Sequence, residues 1–439
     1  YRSRPIVKAE AAEALMVRTL GSGANGIGYY MYHGGSTPKQ NNGVGFFSDD
    51  GMGMPKISYD YQAPIGEFGL IRDSYQNLRV LHTFLKDFGS ILAPMETVLP
   101  EGYEKITPDN RETLRYAARM KEDAGFIFMT NFQDHDTARF DQTDLQLKLK
   151  LKKQTLIIPS SKTFTLKKDQ SVILPFNLSM EGALLKYSTT QLLAKVEEKN
   201  AVHYFFFAPE GLRTEYSFDK STLSSGKEFY TPKPGLKSTF SITVKNGKTL
   251  KITTLTRQQA LNTTKVNNHI LITEATVLPE KEQCTLLSLG KTQISYALYT
   301  ANKGWKEETI EVQPVDVIAD WKKVGTRRMT VKIDQPDVPQ VNDYFLRVNY
   351  VADVAMAFIG GYLVLDHYYY GIPWTIGLRR FKNELKNEYL SFYFRPLRKD
   401  APFIGDLPVE AIPDFSQKDA DCLVRSVDVI PEYKAIVNI

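Results

Sequence analysis

The sequence predicts a multidomain chain: the C-terminal part of a (β/α)8 barrel over residues 1–90, a β-sandwich region of one or two domains over 91–313, and a jelly-roll-like domain over 314–439. Three observations lead there. The first ninety residues alternate helical and strand-like patterns. From about residue 91 the hydrophobic period changes to two. The 439-residue length also exceeds the ~250–300 residues at which a single core stops growing. Phe and Tyr number 24 each, which favours β structure.

In chain order, Lys8 to Leu20 carries Ala12, Leu15, Met16 and Leu20 at helical spacing, and Gly21 is a natural stop. Gly26 to His33 reads as a short aromatic strand ending in Gly34-Gly35. A long glycine-rich loop follows. Asp73 or Ser74 then caps a second helix with Leu78, Leu81, Leu85 and Phe88 on one face and Gly89 beyond its end. Helix, strand, loop and helix is the grammar of a βα-barrel, and ninety residues supply about its last quarter, since a complete one takes ~250.

Beyond residue 91, Leu145 to Leu151 alternates strictly, so its leucines share a buried face. Further strands are expected at 171–176, 201–208, 239–245, 250–254, 269–273 and 294–299. Asn246-Gly247 between two of them is a hairpin signal. Residues 314–325 read as a linker into a last unit with strands at 344–350, 361–366, 390–397 and 424–430, a jelly-roll-like arrangement.

Bulk properties narrow the functional classes. The net charge of +5 comes from 55 basic and 50 acidic residues spread along the chain, with no clustered footprint for nucleic acid. No apolar run approaches the ~18 residues needed to span a bilayer. Cys284 and Cys422 form neither a disulfide framework nor a zinc motif, and buried free thiols are favoured over one long-range bridge. The six histidines are scattered, so no metal site is expected. The chain begins at Tyr1 with no leader pattern, as in a processed fragment or a numbering that starts inside a longer protein.

Three tyrosines carry the functional reading. Tyr30 lies at the end of the expected strand, and Tyr59 and Tyr61 lie across the long loop. Tyr offers a ring to stack on a sugar and a hydroxyl to bond its oxygens. Residues filling the barrel mouth would give the same composition. The surrounding motif, Tyr30-Met31-Tyr32-His33-Gly34-Gly35 followed by Ser58-Tyr59-Asp60-Tyr61-Gln62-Ala63-Pro64-Ile65-Gly66-Glu67, adds a further indication. It resembles the last part of the catalytic barrel of family 35 glycoside hydrolases, the retaining β-galactosidases.

The likeness is strong over 26–70. It is moderate to about 210, around Leu185-Lys186-Tyr187-Ser188-Thr189, and loose beyond. It implies hydrolysis of terminal, non-reducing β-D-galactosyl residues from oligo- or polysaccharides, without a cofactor. Tyr30 would stand beside the nucleophile, Tyr61 would contact the galactose, and Tyr59 would neighbour it. The partners implied are a galactose-containing glycan and the remainder of the barrel from the same protein. The location implied is extracellular or periplasmic.

Two departures stand out. Ser36-Thr37-Pro38 replaces the Thr-Asn-Phe that often follows the two glycines, and Gln62 replaces an aspartate, which removes a charge near the sugar.

Retaining glycosidases need two carboxylates about 5–5.5 Å apart. Glu10 and Glu13 share a helix surface and are expected in solvent. Asp49 and Asp50 suit a cation or solvent contact, Asp60 sits within the tyrosine motif, and Glu67 in its tail suits a structural role. None is assigned catalysis, and the resemblance places both catalytic glutamates outside the chain. The run Gly360 to Trp374 offers either a sugar-stacking platform or packing against the barrel, because consecutive aromatics point to opposite faces of a strand. Two alternatives stay open: a non-catalytic carbohydrate-binding or scaffold protein, and an exo-glycosidase of other sugar specificity.

Overall fold

The structure is a computed structural model that describes residues 3–37, 55–152 and 154–439. Most of it is β-sheet. The described residues stack in layers, and each apolar cluster joins one layer to the next.

Helices α1 (Ala9–Gly21) and α2 (Asp73–Leu92) lie together, with Met16, Val17, Leu20, Leu78, Leu81, Phe84 and Phe88 in the first core. That core is shared by a seven-stranded sheet, with Ala124–Thr130 and Ser171–Met180 at its centre, and a five-stranded sheet centred on Ala201–Ala208 and Thr249–Thr256. The second sheet is covered on its other face by a four-stranded sheet ending in Gly304–Glu311. Ala201–Ala208 is therefore buried on both faces, which is why it reads as a continuous apolar and aromatic run rather than alternating. Its pairing with Thr249–Thr256 is parallel, in an otherwise antiparallel sheet.

The last two layers are five-stranded antiparallel sheets enclosing a core of Leu346, Val348, Tyr350, Trp374, Phe392 and Phe394. Their longest strand, Leu423–Asn438, pairs through its first half with Val341–Val351 and through its second with Gln283–Leu289. One sheet thus continues across residue 313.

Several expectations meet the structure closely. The strands at 201–208 and 269–273 match to the residue, and Asn246-Gly247 turns a hairpin in which Thr243 faces Thr249. Cys284 and Cys422 are free thiols, the first buried as expected and the second only half-buried. No helix among the described residues is long and apolar enough to cross a membrane.

Others differ. The alternating segment 145–151 is divided at Gln146 between two short strands, Gln142–Leu145 and Leu147–Lys150. The 314–325 linker becomes strand from Ala319. Helix α2 runs through Gly89 to Leu92, because Phe88 and Leu92 bury in the core and outweigh glycine's modest cost within a helix.

The barrel expectation rests on a strand at 26–33. That segment forms no ladder and makes a single bridge, His33 to Ile65, since no described strand lies alongside to pair it. The described residues before 93 form two helices and the two-residue strands Gly35–Ser36 and Ser58–Tyr59.

Arg119 ties the helices together. Only 1% exposed, it donates to the carbonyls of Leu20 and Ala24 at the end of α1, and to those of Leu92, Ala93 and Met95 at the end of α2. A cation there meets the negative ends of both helix dipoles and satisfies carbonyls that helix geometry leaves open.

Candidate functional site

Residues 26–33 sort their tyrosines by direction. Tyr29 and Tyr32 turn toward the helices. The Tyr29 hydroxyl lies 2.8 Å from His82 Nε2 and 3.1 Å from Met16 Sδ, and the Tyr32 ring lies against Tyr75 and His82. Tyr30 faces outward and is 87% exposed.

Of the other two tyrosines, Tyr59 ends the strand Ser58–Tyr59 and Tyr61 sits on the turn built by Asp60 that follows it. Ala63 N–H bonds the Asp60 carbonyl at 3.0 Å, and both central residues, Tyr61 (φ 46°) and Gln62 (φ 57°), occupy the left-handed region. Such turns normally take Asn or Gly there, so Tyr and Gln hold the conformation at a cost that their neighbours offset. The Asp60 carboxylate does much of this, accepting from the N–H groups of Gln62 (3.0 Å) and Glu67 (2.6 Å) and from Arg72 Nη2 (2.6 Å). Arg72 also donates to the Ala63 carbonyl. A β-carbon on Gly34 would stand 2.9 Å from Asp60 Cα, so a glycine is needed where the two segments touch.

The three candidate tyrosines come together. The Tyr30 and Tyr59 hydroxyls are hydrogen-bonded to each other, and the Tyr59 ring meets Tyr61 edge-on at 4.9 Å. Their surroundings are not shared equally. A cleft of about 480 Å³ opens between the turn and the last sandwich, lined by Asp60, Tyr61, Arg72, Tyr368, Tyr370 and Trp374 among others. Its described lining includes Tyr61 but neither Tyr30 nor Tyr59, which form a separate exposed face beside it.

Glu67 is buried, and both of its oxygens are engaged, accepting from the hydroxyls of Ser36 and Ser58. Burial pushes its carboxyl up to about 7 against the opposing pull of those hydroxyls and Arg380. Arg380, from the last sandwich, also donates to Ser36 Oγ and lies over the Phe68 ring at 4.9 Å. The structural role expected of Glu67 fits these contacts, and Ser36 forms part of the same arrangement.

One expectation is corrected. Glu13 is not solvated: it is buried and accepts a two-pronged bond from Arg257 (2.7 and 2.8 Å), fastening α1 to the short helix Arg257–Leu261. Gln62 lines the cleft, and its amide is tied to the N-terminal backbone. Its side chain accepts from Val7 N–H (3.1 Å) and donates to the Pro5 carbonyl (2.8 Å), a pairing an aspartate lacks the donor to make. Asp49, Asp50 and Pro38 lie outside the described residues.

In the C-terminal aromatic run, Tyr369 is core and bonds the Ala411 carbonyl, while Tyr368 and Tyr370 reach the cleft from the opposite face. His367 stacks on Trp374 and bonds the Tyr350 hydroxyl at 2.7 Å. Burial drives its pKa down to about 3, so it is neutral. Arg72 and Arg380 were missed by sequence reasoning, and no local signal marks them, because each acts on residues brought near only by folding.

The described residues thus place a tyrosine face beside an aromatic cleft, carried on β-sheet layers. Residues 2–85 match the family model "Glycosyl hydrolases family 35", and residues 101–276 match "Beta-galactosidase, domain 2". Together with the relative below, these two matches support a fragment of a family 35 glycoside hydrolase of the β-galactosidase kind. A curated relative, Beta-galactosidase 6 of Oryza sativa subsp. japonica, is 26% identical over 144 residues, 33% of this chain and 15% of the relative. Among solved structures, the GH31 alpha-xylosidase from Xanthomonas citri aligns over 78% of this chain and 37% of its own, at 10% identity. Its TM-score of 0.12 carries no argument about the fold.

Proposed function

We propose that this chain forms the sugar-facing rim and the sandwich framework of a retaining exo-β-galactosidase that removes terminal, non-reducing β-D-galactosyl residues from oligo- or polysaccharides. The observation that carries the reading is the contiguous set Tyr30, Tyr59 and Tyr61, the last of them on a turn held in an unfavourable backbone conformation, within the segment that matches family 35. Strain retained at a surface turn is characteristic of functional positions.

In this reading Tyr59 and Tyr61 line the galactose pocket, with rings against its apolar face and hydroxyls toward its oxygens. Tyr30, bonded to Tyr59, orients the nucleophile. The two glutamates of the double displacement come from outside this chain, with residues 1–90 completing a barrel they share. Residues 91–313 and the jelly-roll-like 314–439 brace that barrel, and the enzyme works outside the cytoplasm.

A second reading has its own support. Asp60 and Glu67 have all their carboxylate oxygens committed to holding the turn, so the chain's own acids near the tyrosines suit binding rather than cleavage. By that reading the protein captures glycan without hydrolysing it.

The full-length protein carrying this chain decides the matter on 4-nitrophenyl β-D-galactoside. Turnover with β-galactose as the first-formed anomer supports the retaining enzyme. Cleavage confined to another glycoside moves the specificity, and glycan binding without cleavage of any glycoside sinks the hydrolase.

A further inference from the structure

Among the described residues, strand Ser58–Tyr59 has one ladder neighbour, Gly35–Ser36, and the pairing is two residues long. Two residue pairs are too few to hold a strand in register alone. What faces its other side is a carboxylate. Asp366, 1% exposed and set in the edge strand Tyr362–Tyr368 of the last sandwich, accepts from three consecutive backbone N–H groups: Lys56, Ile57 (3.0 Å) and Ser58 (2.8 Å). The next residue is Tyr59.

We propose that Asp366 is a positioning residue for the tyrosine site: its carboxylate fixes the approach to Tyr59 and, through the Asp60 turn, the placement of Tyr61. The proposal rests on the reading of that site as the galactose pocket. Backbone donors buried without a partner are costly, and an ionised acceptor makes shorter and stronger bonds than a carbonyl. One carboxylate with two oxygens can serve three donors, which no neutral side chain of its size can do.

Neighbouring contacts act in the same direction. Arg380 bonds Ser36 Oγ on the partner strand and the Glu67 carbonyl (3.4 Å) just past the turn. The Phe68 side chain packs on Gly377, where an added β-carbon would lie 2.9 Å from Phe68 Cβ. The sandwich therefore grips the tyrosine segment before and after the Asp60 turn, through residues more than 300 positions downstream. Simple adhesion between layers would need only apolar contact. Three directed bonds immediately ahead of Tyr59 set a position.

The test uses the full-length protein with Asp366→Ala and Asp366→Asn, and reads amide hydrogen exchange together with kinetics on an aryl β-galactoside. In the wild type the amides of residues 56–58 are protected. Asp366→Ala should abolish that protection, leave the strand Val354–Ile359 protected, and lower kcat/KM at least tenfold, with kcat falling more than KM rises. Ångström-scale misplacement damages the transition state more than the ground state.

Asp366→Asn keeps one acceptor oxygen and should fall between the two in both measurements; it decides the case if the alanine variant does not fold. Unchanged exchange at 56–58, or lost protection with kcat/KM within twofold of wild type, overturns the proposal. A wild-type protein inert on galactosides sinks the galactosidase reading instead, and the exchange data alone then decide whether Asp366 holds the strand.

Discussion

The sheet interior around Ala201–Ala208 and the paired strands Gly35–Ser36 and Ser58–Tyr59 with the Asp60 turn, here called the hairpin, are held by different means. The first is ladder bonding: eight register pairs join Ala201–Ala208 to Thr249–Thr256, and Phe205, Phe206 and Phe207 fill the cores on either side. The second has two register pairs, then side chains bonded to distant backbone: Asp60, Arg72, Gln62 and Glu67 all make bonds of this kind or receive them. Regular structure distributes its stability over many similar contacts. The hairpin concentrates its stability in a few polar ones, so single substitutions should act more locally there and reach the site directly.

Four substitutions probe that contrast. The largest effect is expected at Arg119, which behaves like a hairpin residue placed inside a core. Arg119→Met leaves carbonyls at two helix ends without donors, and at 1–3 kcal/mol for each unsatisfied buried group the loss should exceed about 3 kcal/mol. Urea unfolding measures it, and a loss under 1 kcal/mol would show that water replaces the guanidinium.

Tyr61→Phe should lower kcat/KM on an aryl β-galactoside roughly 10–100-fold, the equivalent of about 1.5–3 kcal/mol for a hydrogen bond to a charge-developing partner. Its thermal midpoint should not change, since Tyr61 is 50% exposed. Wild-type rates would remove Tyr61 from the pocket.

Glu67 gives a pH dependence. Burial raises its carboxyl from 4.5 to about 7. Between those values the folded protein holds a proton that the unfolded chain has released, so this contribution is complete below pH ~4.5 and is lost as pH rises through 7. Ser36, Ser58, Arg380 and Asp60 are the groups that face it. Glu13, Asp343, Asp366 and Glu432 are also raised by burial, so the comparison with Glu67→Gln isolates its share. The variant should lose on the order of 2 kcal/mol less than wild type between pH 5 and pH 8. Parallel curves of thermal midpoint against pH would refute it.

The smallest effect is expected at Gln62. Gln62→Asp restores the residue common in the family and should cost about 1 kcal/mol, because the bond to the Pro5 carbonyl is lost. Faster exchange at the Val7 amide would accompany it. If the substitution instead altered the choice of sugar with no change at Val7, Gln62 would act on the sugar rather than on the N-terminal backbone.

By itself the sequence determined the elements whose signals are local. Period two and long apolar runs located the strands, Asn246-Gly247 the hairpin, and helical spacing α1 and α2. The tyrosine motif picked out residues that folding brings together, because a fixed order of aromatic residues is written along a short stretch of chain. Only the tertiary structure decided which tyrosines face outward, that Glu13 is buried, that Gln62 turns to the backbone of residues 5 and 7, and that Asp366 and Arg380 grip the hairpin. The physical reason is range. Ladder and helix bonds obey a period that one segment can display, whereas a buried carboxylate's partners are set by where the layers meet, and no period along the chain encodes that.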